Sequence, residues 1–102
     1  MFNKSFIKKM RKPFWIINTS RGKVVSLEDL KWGIEKKFIF GAGLDVFENE
    51  PNVPDDLINL NNVILTPHIG SATVETRYDM GKLVYDNIVQ MLTTNTTISP
   101  VN

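Results

Sequence analysis

Four residues in this sequence carry most of its chemical potential: Arg21, Asp45, Glu50 and His68. They supply a guanidinium, two carboxylates and the single imidazole of the chain. An imidazole titrates near neutral pH and serves proton transfer, and the guanidinium fork matches a carboxylate at two points. Each of the four follows a short apolar run. Phe14-Trp15-Ile16-Ile17 precedes Arg21, the run from Gly41 to Leu44 precedes Asp45 and Glu50, and Val63-Ile64-Leu65 precedes His68. In open parallel sheets, ligands collect at the C-terminal ends of strands. The pattern therefore brings all four to one edge of one sheet. Taken singly, each has a plainer reading. Arg21 is then a surface arginine in a turn, His68 a structural histidine, Glu50 a solvated loop acid, and Asp45 an acid making local turn bonds at a strand end.

The elements that would position them start with Asn3, which caps a basic surface helix that ends near Pro13. Phe14–Ile17 is a continuous, partly β-branched run, as in a strand buried on both faces. Asn18-Thr19-Ser20-Arg21-Gly22 supplies turn chemistry. Ser26 with Asp29 resembles a capping box, and Leu27, Leu30, Ile34 and Phe38 then fall along one helical face. Phe38 to Val46 reads as the second strand, whose Gly41, Ala42 and Gly43 allow a helix or a cofactor close to the backbone. Pro51 to Leu60 is a loop with one helical turn, with Pro54 at its first position. Val63–Leu65 is the third strand, and a long helix runs from about Thr73 to Leu92. Residues 93–102 form an irregular exit. Strand, helix, strand, short helix, strand, long helix is an α/β pattern with a parallel sheet.

Composition narrows the classes. A chain of 102 residues is one domain or part of one. Hydrophobic content of 42% and charged content of 23% are ordinary globular values. A net charge of +1 gives no argument for nucleic acid or an anionic membrane as partner. With no cysteine there is no disulfide, thiolate metal site or cysteine nucleophile, and the sequence offers no cluster of metal ligands. No apolar run reaches the roughly 18–20 residues that span a bilayer. Lys4, Lys8, Lys9, Arg11 and Lys12 make a basic start without acids, which reads as a surface helix rather than an organelle-targeting peptide. The expected location is cytoplasmic.

Three spaced stretches carry a resemblance. Ile17-Asn18-Thr19-Ser20-Arg21-Gly22, the run GAGLDVFENEP from Gly41 to Pro51, and Leu65-Thr66-Pro67-His68-Ile69-Gly70-Ser71 resemble the C-terminal signatures of the D-isomer-specific 2-hydroxyacid dehydrogenases. Within that family they are most similar to the glyoxylate/hydroxypyruvate reductases. The resemblance implies a partial Rossmann-like parallel sheet of about three strands, flanking helices and a long C-terminal helix. It implies that Arg21 binds the carboxylate and carbonyl of a small 2-oxo or 2-hydroxy acid, that His68 is the acid–base, and that Glu50 pairs with His68. It places Asp45 near a nicotinamide carboxamide. Thr19, Ser20, Gly70 and Ser71, with Arg21 and His68, would line an NAD or NADP cofactor. A full-length parent would be a homodimer.

Departures from the family pattern set further expectations. The Gly-rich phosphate loop and the residue that selects NAD or NADP are not in this sequence, since Gly41-x-Gly43 lacks a third glycine and a following helix. The chain is thus expected to be the C-terminal part of a dinucleotide-binding domain, without the Gly-rich half or the substrate domain, and with 93–102 leading toward the latter. Little turnover is expected from it alone. A second expectation is a non-catalytic truncated paralogue that associates with a full-length dehydrogenase.

Overall fold

The computed structural model describes residues 2–101. The chain forms two compact units, the first ending at Gly70 and the second starting at Ser71. In the first, β1 (Phe14–Asn18), β2 (Ile39–Leu44) and β3 (Val63–Leu65) form one parallel sheet in that order. Helices α1 (Lys4–Ile7), α2 (Leu27–Glu35) and α3 (Asp55–Ile58) accompany it. The second unit carries α4 (Val74–Thr94). The parallel α/β architecture read from the sequence is the one observed.

Local chemistry accounts for the helix starts. Asn3 accepts the amide of Phe6 at 3.1 Å and opens α1. That helix stops at Ile7, well before Pro13, because only Ile7 is buried while Lys8 to Lys12 offer the core nothing to pack. A single turn without packing does not propagate. Ser26 accepts the amide of Asp29 and caps α2. The Asp29 carboxylate does not close the box. It accepts the Lys4 amide at 2.9 Å and so ties α1 to α2. Pro54 stands one position before α3, with Asp55 and Asp56 in the first turn, and an ion pair from Lys31 to Asp56 joins α2 to α3. Thr73 caps α4, which runs to Thr94 and ends at Asn95 in the left-handed region.

The faces of the sheet differ from the expectation for β1. Phe14 and Ile16 pack toward the core, but Trp15 and Ile17 are 66% and 78% exposed. The two pairs lie on opposite faces of the strand, and among the described residues only one face is packed. Phe14 stands beside Ile39, while Trp15 stands beside Gly41, so Phe40 is the extra residue of a bulge. The bulge lets Ile39 face the core and then puts Ala42 and Leu44 on that same face. A bulge adds one residue to one strand, and a one-residue shift exchanges the faces of everything beyond it. Trp15, Ile17, Phe40 and Ile64 are left on the open side. Gly41 faces this side, where there is no room for a side chain. A Cβ on Gly41 would lie 2.3 Å from the Asn62 carbonyl oxygen and 2.5 Å from the Trp15 ring.

The core lies on the other face, where Ile7, Leu30, Ile39, Leu44 and Leu57 are fully buried. Leu30→Ala is therefore expected to cost about 2–5 kcal/mol. Ile17→Thr, on the open face, should change stability by less than about 0.5 kcal/mol. Urea unfolding followed by circular dichroism checks both. Equal losses would contradict a one-sided core.

Candidate active site

The three strands deliver their chemistry at their C-terminal ends, as the sequence pattern requires. Asp45 follows β2 directly and is buried. Its Oδ1 accepts the Thr66 hydroxyl at 2.5 Å and the Ile69 amide at 2.8 Å, and its Oδ2 accepts the Gly70 amide at 2.8 Å. Asp45 thus makes the turn bonds of its plainer reading, but to the loop of the neighbouring strand. The Thr66 hydroxyl first, and the Ile69 amide next, hold its carboxyl below the ordinary 3.8, against the opposite pull of burial.

That loop carries His68. Its backbone has φ 55°, a left-handed region in which histidine is enriched among non-glycine residues. The His68 amide donates to the Thr66 carbonyl at 3.0 Å, which closes a tight turn about Pro67. Its Nδ1 lies 2.8 Å from Glu50 Oε2. The other oxygen of Glu50 accepts the Phe47 amide at 3.0 Å. The bond from His68, and then the one from Phe47, lower the Glu50 carboxyl below its ordinary 4.5. An ionised carboxylate can only accept, so Nδ1 carries a proton and Nε2 is the nitrogen left to exchange one.

Arg21 follows β1 with extended backbone. Its carbonyl accepts both the Asn18 amide group at 3.0 Å and the Val24 amide at 3.1 Å. Asn18 Oδ1 accepts the Ser20 amide at 3.1 Å and the Ser20 hydroxyl at 2.9 Å. The guanidinium is exposed and donates to the Ser20 carbonyl at 2.6 Å. Thr19 is exposed, and Ser71 opens the second unit on an exposed position.

Two clefts flank Phe47. One, about 300 Å³, is walled by Phe47, Pro51, Val53 and Leu65 and bears Glu50 and His68. The other, about 500 Å³, is lined by Arg21, Lys23, Phe47 and Glu48 among others. Glu50 and His68 are therefore brought together, and Asp45 is joined to the loop that bears His68. Arg21 lies on the adjoining cleft and, among the described residues, makes no hydrogen bond or ion pair to Asp45, Glu50 or His68. Gly22 fixes that adjacency, since a Cβ there would lie 2.2 Å from the Phe47 carbonyl oxygen and 2.7 Å from the Glu48 nitrogen.

Residues 1–70 match the sequence model described as D-isomer specific 2-hydroxyacid dehydrogenase, NAD binding domain. The chain belongs to this family. The glyoxylate reductase of Pyrococcus furiosus is 46% identical over 89 residues, which are 87% of this chain and 26% of that protein. The 2-ketogluconate reductase of Gluconobacter oxydans is 41% identical over 101 residues, which are 99% of this chain and 33% of that protein. Among solved structures, an NADPH-dependent glyoxylate/hydroxypyruvate reductase from Sinorhizobium meliloti, in complex with NADP and malonate, aligns with a TM-score of 0.86 and 41% identity. The alignment covers 97% of this chain and 31% of that one. The chain thus spans about a quarter to a third of the length of these relatives.

Two residues of this site, Asn18 and Thr66, were not among the sequence candidates. Asn18 had a usable signal, an asparagine at the end of an apolar run followed by small polar residues, which is Asx-turn chemistry. Thr66 had none, because its partner is 21 positions away.

The Glu50 carboxyl should titrate below 4.5, and His68→Ala should return it toward that value; carbon-detected NMR titration reads both. A depressed folded-state value means that Glu50 stabilises the fold above its unfolded value. The contribution is lost as pH falls through the lower, folded value. Gly22→Ala must part the Arg21 and Phe47 loops. It is expected to cost about 1–3 kcal/mol, as overpacking does, measured by thermal unfolding.

Proposed function

We propose that this chain is the C-terminal part of a nicotinamide dinucleotide domain that reduces a small 2-oxo acid to its D-2-hydroxy acid within a longer protein. Glyoxylate and hydroxypyruvate are the first candidates, on the printed names of the relatives. The observation that carries the reading is the Glu50–His68 pair at the C-terminal edge of the sheet, with Asp45 pinning the loop that bears the imidazole.

In this reading Arg21 holds the substrate carboxylate and carbonyl through its two-point fork. His68, as the imidazolium with Nδ1–H held by Glu50, gives its Nε2 proton to the carbonyl oxygen and is left as the Nδ1–H tautomer. The bound cofactor, NAD or NADP, supplies hydride transfer to and from carbon. The nicotinamide end fits the residues present, since Asp45 Oδ2 takes one protein donor and keeps a lone pair for an amide N–H. Thr19, Ser20 and Gly70 would complete that wall. The pyrophosphate end has no Gly-rich loop in this sequence. Residues 93–102 lead toward a substrate domain, the parent is a cytoplasmic homodimer, and the chain alone turns over little, because orientation supplies much of catalysis.

Calorimetry with NADH and NADPH on the purified chain tests the reading, with circular dichroism as the fold check. Micromolar binding of either to a cooperatively folded chain is expected. A folded chain that binds neither would overturn it as a cofactor module. Oxidation of NADPH with hydroxypyruvate by the chain alone would contradict the expectation of little turnover. The exposed Trp15, Ile17 and Phe40 and the unpaired outer edge of β1 favour a second reading, a non-catalytic chain that joins a full-length dehydrogenase through this sheet. Co-purification with such an enzyme would support it, and a monomeric soluble chain would count against it.

A further inference from the structure

We infer that Asn18 is a positioning residue for Arg21, and that its buried carboxamide sets where the guanidinium stands over the site. The inference rests on the proposed role of Arg21 as the carboxylate clamp.

Asn18 is 4% exposed, and its whole side chain is committed to the Arg21 loop. Its Nδ2 donates to the Arg21 carbonyl at 3.0 Å, and its Oδ1 accepts from Ser20 twice. The Arg21 carbonyl takes a second bond from the Val24 amide, so both of its lone pairs are engaged. The backbone of Asn18 is held independently of this. Asn18 ends β1 beside Leu44, and its carbonyl accepts the Asp45 amide at 2.9 Å. One residue therefore belongs to the sheet through its backbone and to the arginine loop through its side chain.

Arg21 itself has little else to hold it. It is exposed, and among the described residues its only side-chain bond goes to the adjacent Ser20 carbonyl, a group that the same Asn18 amide fixes through Ser20. An arginine side chain loses rotamer freedom when it is fixed. A clamp that must also order its own backbone on binding loses affinity by that added cost. The buried amide removes the backbone part beforehand. Donor and acceptor are both needed, since Asn18 gives one bond to Arg21 and takes two from Ser20. Aspartate at this position would keep the Ser20 bonds and set a carboxylate against the Arg21 carbonyl. Alanine would lose all three bonds and leave the Arg21 loop to Val24 and Gly22 alone.

The test uses the full chain, with Asn18→Asp and Asn18→Ala, and oxalate as the probe for a two-point carboxylate site. Nitrogen-15 relaxation reports the loop, and the shift of the Arg21 side-chain N–H reports binding. In the parent chain the Ser20 and Arg21 amides should be as ordered as the strands, with order parameters near ~0.85. In Asn18→Ala both should fall below ~0.6, while Ile16 and Gly43 hold their values. In Asn18→Asp only Arg21 should loosen. Oxalate affinity should fall about tenfold in both variants, the scale of one or two lost hydrogen bonds. Unchanged oxalate affinity in both variants, with binding to the parent intact, overturns the inference alone. So does loss of order through the whole sheet, which marks a purely structural residue. No oxalate binding to the folded parent overturns the clamp role and this inference with it. If Asn18→Ala fails to fold, Asn18→Asp decides, because it keeps the Ser20 bonds.

Discussion

The carboxylate of Asp45 stands at the end of β2 and takes three hydrogen bonds from the loop of the strand beside it. β3 is three residues long and pairs on one side only, so its ladder alone does little to fix the loop beyond Leu65. Ile69 and Gly70 find their backbone partners in a side chain instead. Burying a charge is costly unless donors surround it, and here the donors and the buried charge answer each other. The position of His68, its left-handed backbone and its reach to Glu50 all depend on the loop that Asp45 holds.

A second layer of contacts joins this arrangement to the other side of the site. Glu50 accepts the Phe47 amide with one oxygen and meets His68 with the other. Phe47 lies in turn against Gly22, next to Arg21. Both clefts share Phe47 as a wall, so the Arg21 side and the Glu50–His68 side are set apart by one aromatic residue. Nothing in this frame is long or regular. Short side-chain-to-backbone bonds at strand ends do the positioning, while the strands supply a rigid base.

Much of this was legible in the sequence because the signals were local. The strand ends, the Asn3 and Ser26 caps and the order of elements come from residues a few positions apart. The three motifs also named Arg21, Glu50 and His68 in the right order along one sheet edge. The bulge at Phe40 was not legible, because Phe14-Trp15-Ile16-Ile17 and Phe38-Ile39-Phe40 read as uninterrupted apolar runs. The pairing of Trp15 with Gly41 reveals the bulge, and the exposure of Trp15, Ile17, Phe40 and Ile64 reveals the open face. The length of α1 was missed for a related reason. Alternating Lys and apolar residues satisfy a helical period, yet only Ile7 found a core to enter. The links of Asp45 to Thr66 and of Gly22 to Phe47 join residues more than twenty positions apart, where no spacing rule applies.

The dependence of the β3 loop on a carboxylate separates two thresholds within one small unit. Local opening begins where few ladder bonds and few buried contacts hold the backbone. The Ile69 and Gly70 amides are bonded to an ionisable group, whereas those of β2 are bonded to peptide carbonyls. Acid strong enough to protonate Asp45, whose carboxyl is held below the ordinary 3.8, would therefore expose the former to solvent exchange while Leu30 and Leu44 remain enclosed. The end of the molecule that bears the imidazole has a latch of its own, and that latch is charged.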